Sequence, residues 1–332
     1  MPKQYHVYGM GNALVDIVTE VSEAFVSEHE IEKGLMTLVD EERQHQLVNA
    51  IDLPNSDRQC GGSAANTIIG AAQFGASCYY SCKVANDEMG DFYHQDLTSN
   101  GVSTNLSPSN REAGITGKCL VMTTPDAERT MNTFLGITAT YSTQEIDEAA
   151  LKDSEYLYIE GYLVTGDSSR EAMKAAKSLA EANGVKTALT FSDPSMVKYF
   201  KEAMTEVLGS GVDLLFCNEE EAMLFTDTET IALAKEALKA LAKTFVITLG
   251  SQGALVFDGC VESKIEPFPT EVVDTNGAGD LFAGAFLYGI THGKSFADAG
   301  KLASLAASRV VSKFGPRLQA SQAKETLDQA FA

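Results

Sequence analysis

The sequence contains few of the features that mark membrane, secreted or nucleic-acid-binding proteins. It has no run of eighteen apolar residues and no basic segment followed by an apolar one at its start, so we expect neither a membrane span nor a signal peptide. Its 25 Lys and Arg residues are outnumbered by 46 Asp and Glu residues, and the formal charge of −21 opposes binding to nucleic acid or to anionic membranes. We therefore expect a soluble cytoplasmic protein, and the acidic surface by itself specifies no partner.

The chain also lacks the residue spacings of disulfide, metal and P-loop sites. None of its six cysteines forms a Cys-x-x-Cys pair, which favours reduced thiols buried in a core. Its five histidines lack the spacing of zinc ligands, and no Gly-x-x-x-x-Gly-Lys-Ser/Thr segment occurs. The cysteines are Cys60, Cys78, Cys82, Cys119, Cys217 and Cys260.

Strand-like and helix-like segments alternate through the second half of the chain. We predict strands at 156–159, 187–191, 214–217 and 245–248, and helices at 168–183, 195–208, 219–225 and 231–242. This alternation, with 44% hydrophobic residues and no repeat or linker, predicts an α/β fold whose parallel sheet is covered on both faces. Segments 12–39 and roughly 112–137 break the rhythm and are predicted to form antiparallel hairpins.

The most informative segment is 274–280, which reads Asp-Thr-Asn-Gly-Ala-Gly-Asp. The Gly-Ala-Gly part opens a helix of small residues and leaves backbone N–H groups accessible at its positive end, which suits a phosphate. Asp280 follows directly, and a carboxylate beside a phosphate site can act as a general base toward an attacking hydroxyl. The alternative is that Asp280 merely caps the helix.

Four further segments occur in the order of a known family. Residues 60–66 read Cys-Gly-Gly-Ser-Ala-Ala-Asn, 81–90 form a strand and turn ending in Glu-Met-Gly, 218–221 read Asn-Glu-Glu-Glu, and 248–254 read Thr-Leu-Gly-Ser-Gln-Gly-Ala. With 274–280 they resemble the motifs of the ribokinase-like (phosphofructokinase B) family of sugar and nucleoside kinases, over most of residues 5–315. The resemblance implies one kinase domain over 1–332, a three-layer αβα sandwich with a mostly parallel central sheet and a small β-sheet lid inserted at about 12–39 and 112–137. The resemblance is compatible with a monomer and with a homodimer.

The resemblance implies ATP-dependent transfer of a γ-phosphoryl group to a primary hydroxyl. Asp280 would be the general base, and the amides of Gly277, Ala278 and Gly279 would form the anion hole. Only residues without bulk let a phosphate approach the backbone so closely. Asn276 would add its side-chain amide there, or would instead stabilise the loop by a hydrogen bond.

On the nucleotide side the resemblance implies ATP and Mg²⁺, with the metal bound mainly through phosphates and water. Glu221 would contact the metal through water, unless it serves only as a favourable charge in the first turn of a helix. A monovalent cation such as K⁺ near Asp274 is a further option. The expected nucleotide-binding residues are Asn218, Glu221, Thr248, Gly250 and Gly253.

On the acceptor side the resemblance implies a site for a sugar or ribose ring. The Asp16 carboxylate suits two adjacent hydroxyls, the backbone at Gly61 and Gly62 can approach a sugar closely, and Asn66 can both donate and accept. Alternatives are a solvated Asp16 at a strand end and an N-cap role for Asn66. The expected acceptor-binding residues are Asn12, Asp16, Gly61, Gly62, Asn66, Arg129 and Tyr162.

Four short segments of the sequence predict which acceptor is used. Segments 11–17, 128–136, 158–162 and 274–276 resemble the adenosine kinases of the family, which implies transfer to the 5′-hydroxyl of adenosine, giving AMP. The chain departs from adenosine kinases at Tyr162-Leu163 and Ser195-Met196, where aromatic residues are expected. The residues that would contact the base are therefore not identified by the resemblance. A sugar kinase of the ribokinase or fructokinase type is the alternative. A nucleoside-binding regulator without catalysis is a third reading, opposed by the intact Asp280.

Overall fold

The computed structural model describes residues 2–34, 36–51, 58–126 and 128–332, except for the side chain of Arg129. The strands are β1 (Tyr5–Met10), β2 (Leu14–Glu20), β3 (Met36–Leu38), β4 (Arg58–Gly61), β5 (Cys78–Ser81), β6 (Val102–Thr104), β7 (Thr116–Thr123), β8 (Arg129–Gly136), β9 (Ser154–Glu160), β10 (Lys186–Thr190), β11 (Val212–Asn218), β12 (Ala242–Thr248), β13 (Ala254–Phe257) and β14 (Glu262–Ile265). The helices are α1 (Glu23–Glu28), α2 (Glu41–Ala50), α3 (Ser63–Phe74), α4 (Glu88–Ser99), α5 (Glu148–Lys152), α6 (Asp167–Ala182), α7 (Pro194–Leu208), α8 (Glu219–Thr226), α9 (Ile231–Leu238), α10 (Ala278–Thr291), α11 (Phe296–Val311) and α12 (Ala320–Ala330).

The larger of two sheets has nine strands in the order β14-β13-β12-β11-β10-β9-β1-β5-β6. The strands from β12 to β6 in that order are all parallel, and β13 and β14 add an antiparallel edge. Because helices cover both faces, the parallel strands are apolar along their length. Successive residues of one strand enter opposite cores: Leu214 packs with α3 and α10, whereas Leu215 packs with α6 and α7. The predicted three-layer α/β fold is confirmed.

The smaller sheet has five strands in the order β3-β8-β7-β2-β4. It contains the two segments predicted as hairpins, but two expectations about them were wrong. Segment 12–39 also holds the helix α1, which begins at the cap Ser22, and β2 pairs with β7 in parallel. A fifth strand, β4, includes the first two residues of the motif at 60–66 and pairs with β2 in antiparallel fashion. That this sheet acts as a lid stays a prediction.

Most predicted elements between 154 and 248 occur within about two residues of their predicted bounds. There are two exceptions: the helix predicted at 231–242 ends at Leu238, and the strand predicted at 245–248 begins three residues earlier, at Ala242. The prediction of buried thiols holds for five cysteines and fails for Cys260, which is exposed on the turn between β13 and β14. In the part of the chain that the structure describes, no helix is both long and apolar enough to cross a membrane.

Candidate active site

A cavity of about 380 Å³ lies between the carboxyl ends of the parallel strands and one face of the smaller sheet. Ligands of open α/β sheets bind at this edge, because the loops after successive strands converge there. Most of the predicted site residues line it. These are Asn12, Asp16, Gly62, Asn66, Tyr162, Asn218, Glu221, Thr248, Asn276, Gly277, Ala278, Gly279 and Asp280.

The amino end of α10 opens onto the cavity. Gly277 is the N-cap, with φ +71° and no side-chain hydrogen bond to the first turn. A Cβ on Gly277 would lie 2.6 Å from the Pro316 carbonyl oxygen, whereas a Cβ on Gly279 would meet nothing within 4 Å. The turn therefore requires glycine at 277 for its conformation and leaves the space above Gly279 open for an anion at the positive helix end.

Asp280 does not cap α10, so the alternative considered for it was wrong. Its carboxylate, in the first turn, accepts a hydrogen bond from Ser63 Oγ at 2.6 Å and one from Asn66 Nδ2 at 3.1 Å. Both donors lie on the first two turns of α3, which orient the carboxylate at the cavity wall. The N-cap alternative for Asn66 was also wrong, because Gly62 occupies that position.

Close packing of α3 against α10 brings these groups together. A Cβ on Gly70 would lie 2.8 Å from Leu281 Cδ1, and one on Gly284 would overlap the Thr67 carbonyl oxygen. Since glycine lets two helix backbones approach at each of these points, Ser63 and Asn66 come within hydrogen-bonding distance of Asp280. The arrangement holds a carboxylate beside accessible amides, which is what general-base catalysis of phosphoryl transfer needs.

The loop before α10 is held by Asp274. Its carboxylate is buried and accepts hydrogen bonds from the backbone N–H of Asn276 at 2.9 Å and of Gly315 at 3.0 Å. Asn276 is partly buried, and it lines the cavity as predicted. These hydrogen bonds hold the loop that leads into the amino end of α10.

Asp16 and the loop at Gly61 are among the residues predicted to bind the acceptor. Asp16 is 6% exposed and lies inside β2, so a solvated strand-end role is wrong. Gly61 does not line the cavity itself; it lies beneath Asp16, where a side chain would overlap the carboxylate. Gly62 has φ +98°, and a Cβ there would overlap the Asn12 carbonyl oxygen. Tyr162 lines the cavity and donates to Asp193 Oδ2 at 3.4 Å, and the Arg129 side chain lies outside the described residues.

Sequence reasoning missed Glu160, a cavity-lining carboxylate that is 1% exposed. It accepts from the backbone and side-chain nitrogens of Asn12, both at 3.1 Å, and from the Ala64 N–H at 2.8 Å. Burial, reinforced by the charge of Asp280, raises the pKa of Glu160 to about 7. A carboxylate at the end of the apolar strand β9 was the signal available in the sequence.

The predicted nucleotide-binding residues divide into two groups. Asn218, Glu221 and Thr248 line the cavity, whereas Gly250 and Gly253 lie outside its lining. Asn218 caps α8 and forms a capping box with Glu221. Glu221 therefore does stabilise the first turn of this helix, as the alternative for this residue proposed. Burial raises the pKa of Glu221 to about 8.

The described residues contain no cluster of three or more His, Cys, Asp or Glu side chains that could hold a metal directly. Both Glu221 oxygens accept from Asn218 at 2.9 Å, which leaves the remaining lone pairs of this cavity-lining carboxylate for water. The residues thus fit a Mg²⁺ ion that enters with a nucleotide and is held by phosphate oxygens and water.

The smaller sheet gives the cavity an apolar wall without aromatic residues. The apolar side chains of this sheet that line the cavity are aliphatic or contain sulfur. Thr133 on the same face donates to Cys119 Sγ at 3.4 Å. The apolar members of the wall are Leu14, Met36, Leu38, Cys119, Val121, Met131 and Leu135.

Comparison with known proteins gives one family match and several close relatives. Residues 34–323 match the family model described as pfkB family carbohydrate kinase. Adenosine kinase 1 of Arabidopsis thaliana is 28% identical over 329 residues, covering 92% of this chain and 94% of the relative. The structure of adenosine kinase from Sinorhizobium meliloti is 34% identical with a TM-score of 0.92, covering 98% of this chain and 99% of that one. A protein from Rhizobium etli CFN 42 named as a probable sugar kinase is 33% identical with a TM-score of 0.91, with the same coverage.

Proposed function

Since the chain belongs to the pfkB family of carbohydrate kinases and is a phosphotransferase with an alcohol acceptor, we propose that it transfers the γ-phosphoryl group of ATP to the 5′-hydroxyl of adenosine. The products are AMP and ADP, so the reaction would return a free purine nucleoside to the nucleotide pool in the cytoplasm. The observation that carries the proposal is the Asp280 carboxylate beside the open Gly279 turn of α10, inside one cavity with Asp16.

Asp280 is the general base in this proposal. It takes the proton of the acceptor hydroxyl as that oxygen forms a bond to the γ-phosphorus, and the bond from phosphorus to the bridging oxygen of ADP breaks. The hydrogen bonds from Ser63 and Asn66 hold the carboxylate in place before the reaction, so little reorganisation is needed. The amides of Gly277, Ala278 and Gly279, with the Asn276 side chain, stabilise the charge on the transferred group.

The two ends of the cavity bind the two substrates. The phosphate donor would lie along Asn218, Glu221 and Thr248, and Glu221 would hold the water shell of a Mg²⁺ ion whose charge would neutralise that of the phosphates. A K⁺ ion near Asp274 stays a prediction, and so do direct nucleotide contacts by Gly250 and Gly253. Asp16 and Asn12 bind the ribose hydroxyls at the other end, together with Arg129.

The apolar wall supports a nucleoside over a free sugar. A free sugar carries a hydroxyl on most of its carbon atoms, and burying those hydroxyls against Val121 or Met131 without hydrogen bonds costs free energy. A purine base has two apolar faces that such a wall can cover. Sulfur and aliphatic side chains then take the place of the aromatic residues that the sequence lacks at 163 and 195–196.

A sugar kinase is the second candidate, favoured by the relative from Rhizobium etli that is named as a probable sugar kinase. A coupled assay of ADP release with adenosine, ribose and fructose at saturating MgATP distinguishes the two. We expect kcat/KM for adenosine to exceed both sugars, and mass spectrometry with phosphorus NMR to identify 5′-AMP. A tenfold preference for ribose or fructose would reverse the assignment.

A substitution in the apolar wall also distinguishes a nucleoside from a sugar as the acceptor. Val121→Ala removes two methyl groups that line the cavity, and it should raise the KM for adenosine several-fold. Ribose is the matched control, because it has no base to contact the wall. An equal loss for adenosine and ribose would mean that Val121 does not contact a base.

A further inference from the structure

Arg317 is a buried cation in the loop between α11 and α12, and its guanidinium group reaches three partners. The side chain is 9% exposed although the protein carries a charge of −21. Nη1 donates to Asp96 Oδ2 at 2.9 Å, Nη2 donates to the Cys60 carbonyl oxygen, and Nε donates to Asn66 Oδ1 at 3.0 Å. The ion pair with Asp96 accounts for the burial of the charge, but the contact from Nε to Asn66 does not follow from it.

The contact with Asn66 decides which way its amide faces. Because Arg317 has only donors, it can be satisfied only by the amide oxygen, and Nδ2 is then turned to Asp280 Oδ2 at 3.1 Å. In the reversed orientation the NH₂ group would face the guanidinium and the oxygen would face the carboxylate. Two hydrogen bonds would be exchanged for two repulsive contacts.

The residues just before Arg317 contact the other side of the same site. The Gly315 N–H donates to Asp274 Oδ2 at 3.0 Å, and Pro316 packs against Gly277, where a Cβ would lie 2.6 Å from the Pro316 carbonyl oxygen. Residues 315–317 thus touch both the turn that begins α10 and the helix α3. Asp280 lies between these two elements.

We propose that Arg317 is a positioning residue for phosphoryl transfer: it orients the Asn66 amide, which in turn holds the Asp280 carboxylate toward the acceptor hydroxyl. This inference rests on the proposed role of Asp280 as the base. Arg317 is not among the residues that line the cavity, so we expect it to act through Asn66. Its loss should lower kcat while leaving substrate binding largely intact, since a carboxylate that is free to rotate spends less time in the reactive position.

The test is a double-mutant cycle on kcat with Arg317→Met and Asn66→Ala, measured with the best acceptor found in the substrate panel. We expect Arg317→Met to lower kcat about ten- to a hundredfold, with the KM for ATP and acceptor within about threefold of wild type. In the Asn66→Ala background the same substitution should cost less than about threefold more, because both changes remove one connection.

Arg309→Met is the matched control. Arg309 also connects two elements, through Thr326 at 2.7 Å and the Gln322 carbonyl oxygen, but it is not one of the residues that line the cavity. Its removal should lower the melting temperature without changing kcat at 25 °C. If Arg317→Met does not fold, Arg317→Lys keeps a cation for Asp96 while losing the Nε donor, and it enters the cycle instead.

The outcomes separate the two proposals. Losses in kcat that multiply in the double variant, or a loss confined to KM, would overturn the positioning role of Arg317 alone. Full turnover by Asp280→Asn, assayed in parallel, would overturn the assignment of the base and with it this role. A kcat-selective loss that is absent in the Asn66→Ala background, with an inactive Asp280→Asn, supports both.

Discussion

Gly61 lies directly beneath the carboxylate of Asp16, and a Cβ at this position would be within 2.6 Å of both its oxygen atoms. The two residues belong to neighbouring strands of the smaller sheet, β4 and β2, which pair in antiparallel fashion. Because residue 61 has no side chain, the Asp16 carboxylate can occupy this volume and reach the cavity.

Gly61→Ala should displace Asp16 and weaken acceptor binding. We expect kcat/KM for the acceptor to fall at least tenfold, since the methyl group and the carboxylate cannot occupy the same volume. The KM for ATP should stay close to wild type. The same substitution in an Asp16→Ala background should cost little more, and an equal further loss there would show that Gly61 acts by another route.

Asp16 is predicted to bind two adjacent hydroxyls of the acceptor. A 2′-deoxy or 3′-deoxy nucleoside would lack one of the hydroxyls proposed to donate to this buried carboxylate, and losing that hydrogen bond costs about 1.5–3 kcal/mol, or roughly ten- to a hundredfold in kcat/KM. Asp16→Ala should cause a similar loss with adenosine and reduce the discrimination against the deoxy analogue. The measurement compares two proteins with two substrates. Purely multiplicative losses would show that Asp16 does not touch those hydroxyls.

Asp280→Asn removes the proposed base but keeps the size of the side chain. We expect kcat to fall about 10²–10⁴-fold, with nucleotide affinity by calorimetry little changed. Asp298→Asn is the matched control: Asp298 is the third residue of α11 as Asp280 is of α10, and it accepts from Ser295 Oγ at 2.7 Å. It is exposed and should tolerate the change. More than a tenth of wild-type turnover in Asp280→Asn would remove this residue from the mechanism.

Two glycines of the same turn should respond in opposite ways. Gly279→Val adds a side chain where nothing lies within 4 Å, so the variant should fold and melt near the wild-type temperature while losing phosphoryl transfer. Gly277→Ala should instead destabilise the protein, because φ is +71° and the methyl group would meet Pro316. Thermal melting and the ADP assay on both variants check this. A fully active, folded Gly279→Val would exclude the turn as an anion hole.

The raised pKa of Glu160 gives stability a definite pH dependence. Burial raises this pKa from 4.5 to about 7, so between these values the folded chain holds a proton that the unfolded chain has released. The contribution of Glu160 to the free energy of unfolding therefore falls as pH rises from about 4.5 to about 7, by about 1.4 kcal/mol per pKa unit, and is constant above. Glu160→Gln lacks this titration.

Urea denaturation of wild type and Glu160→Gln at pH 5 and at pH 7.5 measures that contribution. We expect the stability of the variant relative to wild type to increase with pH, on top of a constant loss from the contacts with Asn12 and Ala64. A difference that is the same at both pH values would contradict the shift.

The catalytic turn and the parallel sheet could be predicted because their signals are local. Strand and helix periodicity appears within ten residues, and a Gly-Ala-Gly helix start identifies itself by composition. The hydrogen-bond partners of Asn66 could not be predicted in this way. Its two partners, Asp280 and Arg317, lie 214 and 251 residues away, and no spacing in the sequence connects them.

The smaller sheet shows the same division. Its long strands β7 and β8 follow from their alternation, whereas β4 is four residues long and was read only as part of a motif. Its place beside β2 depends on pairing between distant segments. Only that pairing sets Gly61 beneath Asp16.

The sequence by itself determined the α/β class, the family, the glycine-opened turn before α10 and a set of site residues most of which line the cavity. The tertiary structure decided the hydrogen bonding and the burial of each carboxylate at this site. Asp280 receives hydrogen bonds from another helix, Asp16 is buried over a glycine of another strand, and Glu160 is enclosed so fully that its pKa rises to about 7. The physical reason is that desolvation and hydrogen bonding depend on which distant groups surround a charge, and folding alone brings those groups together.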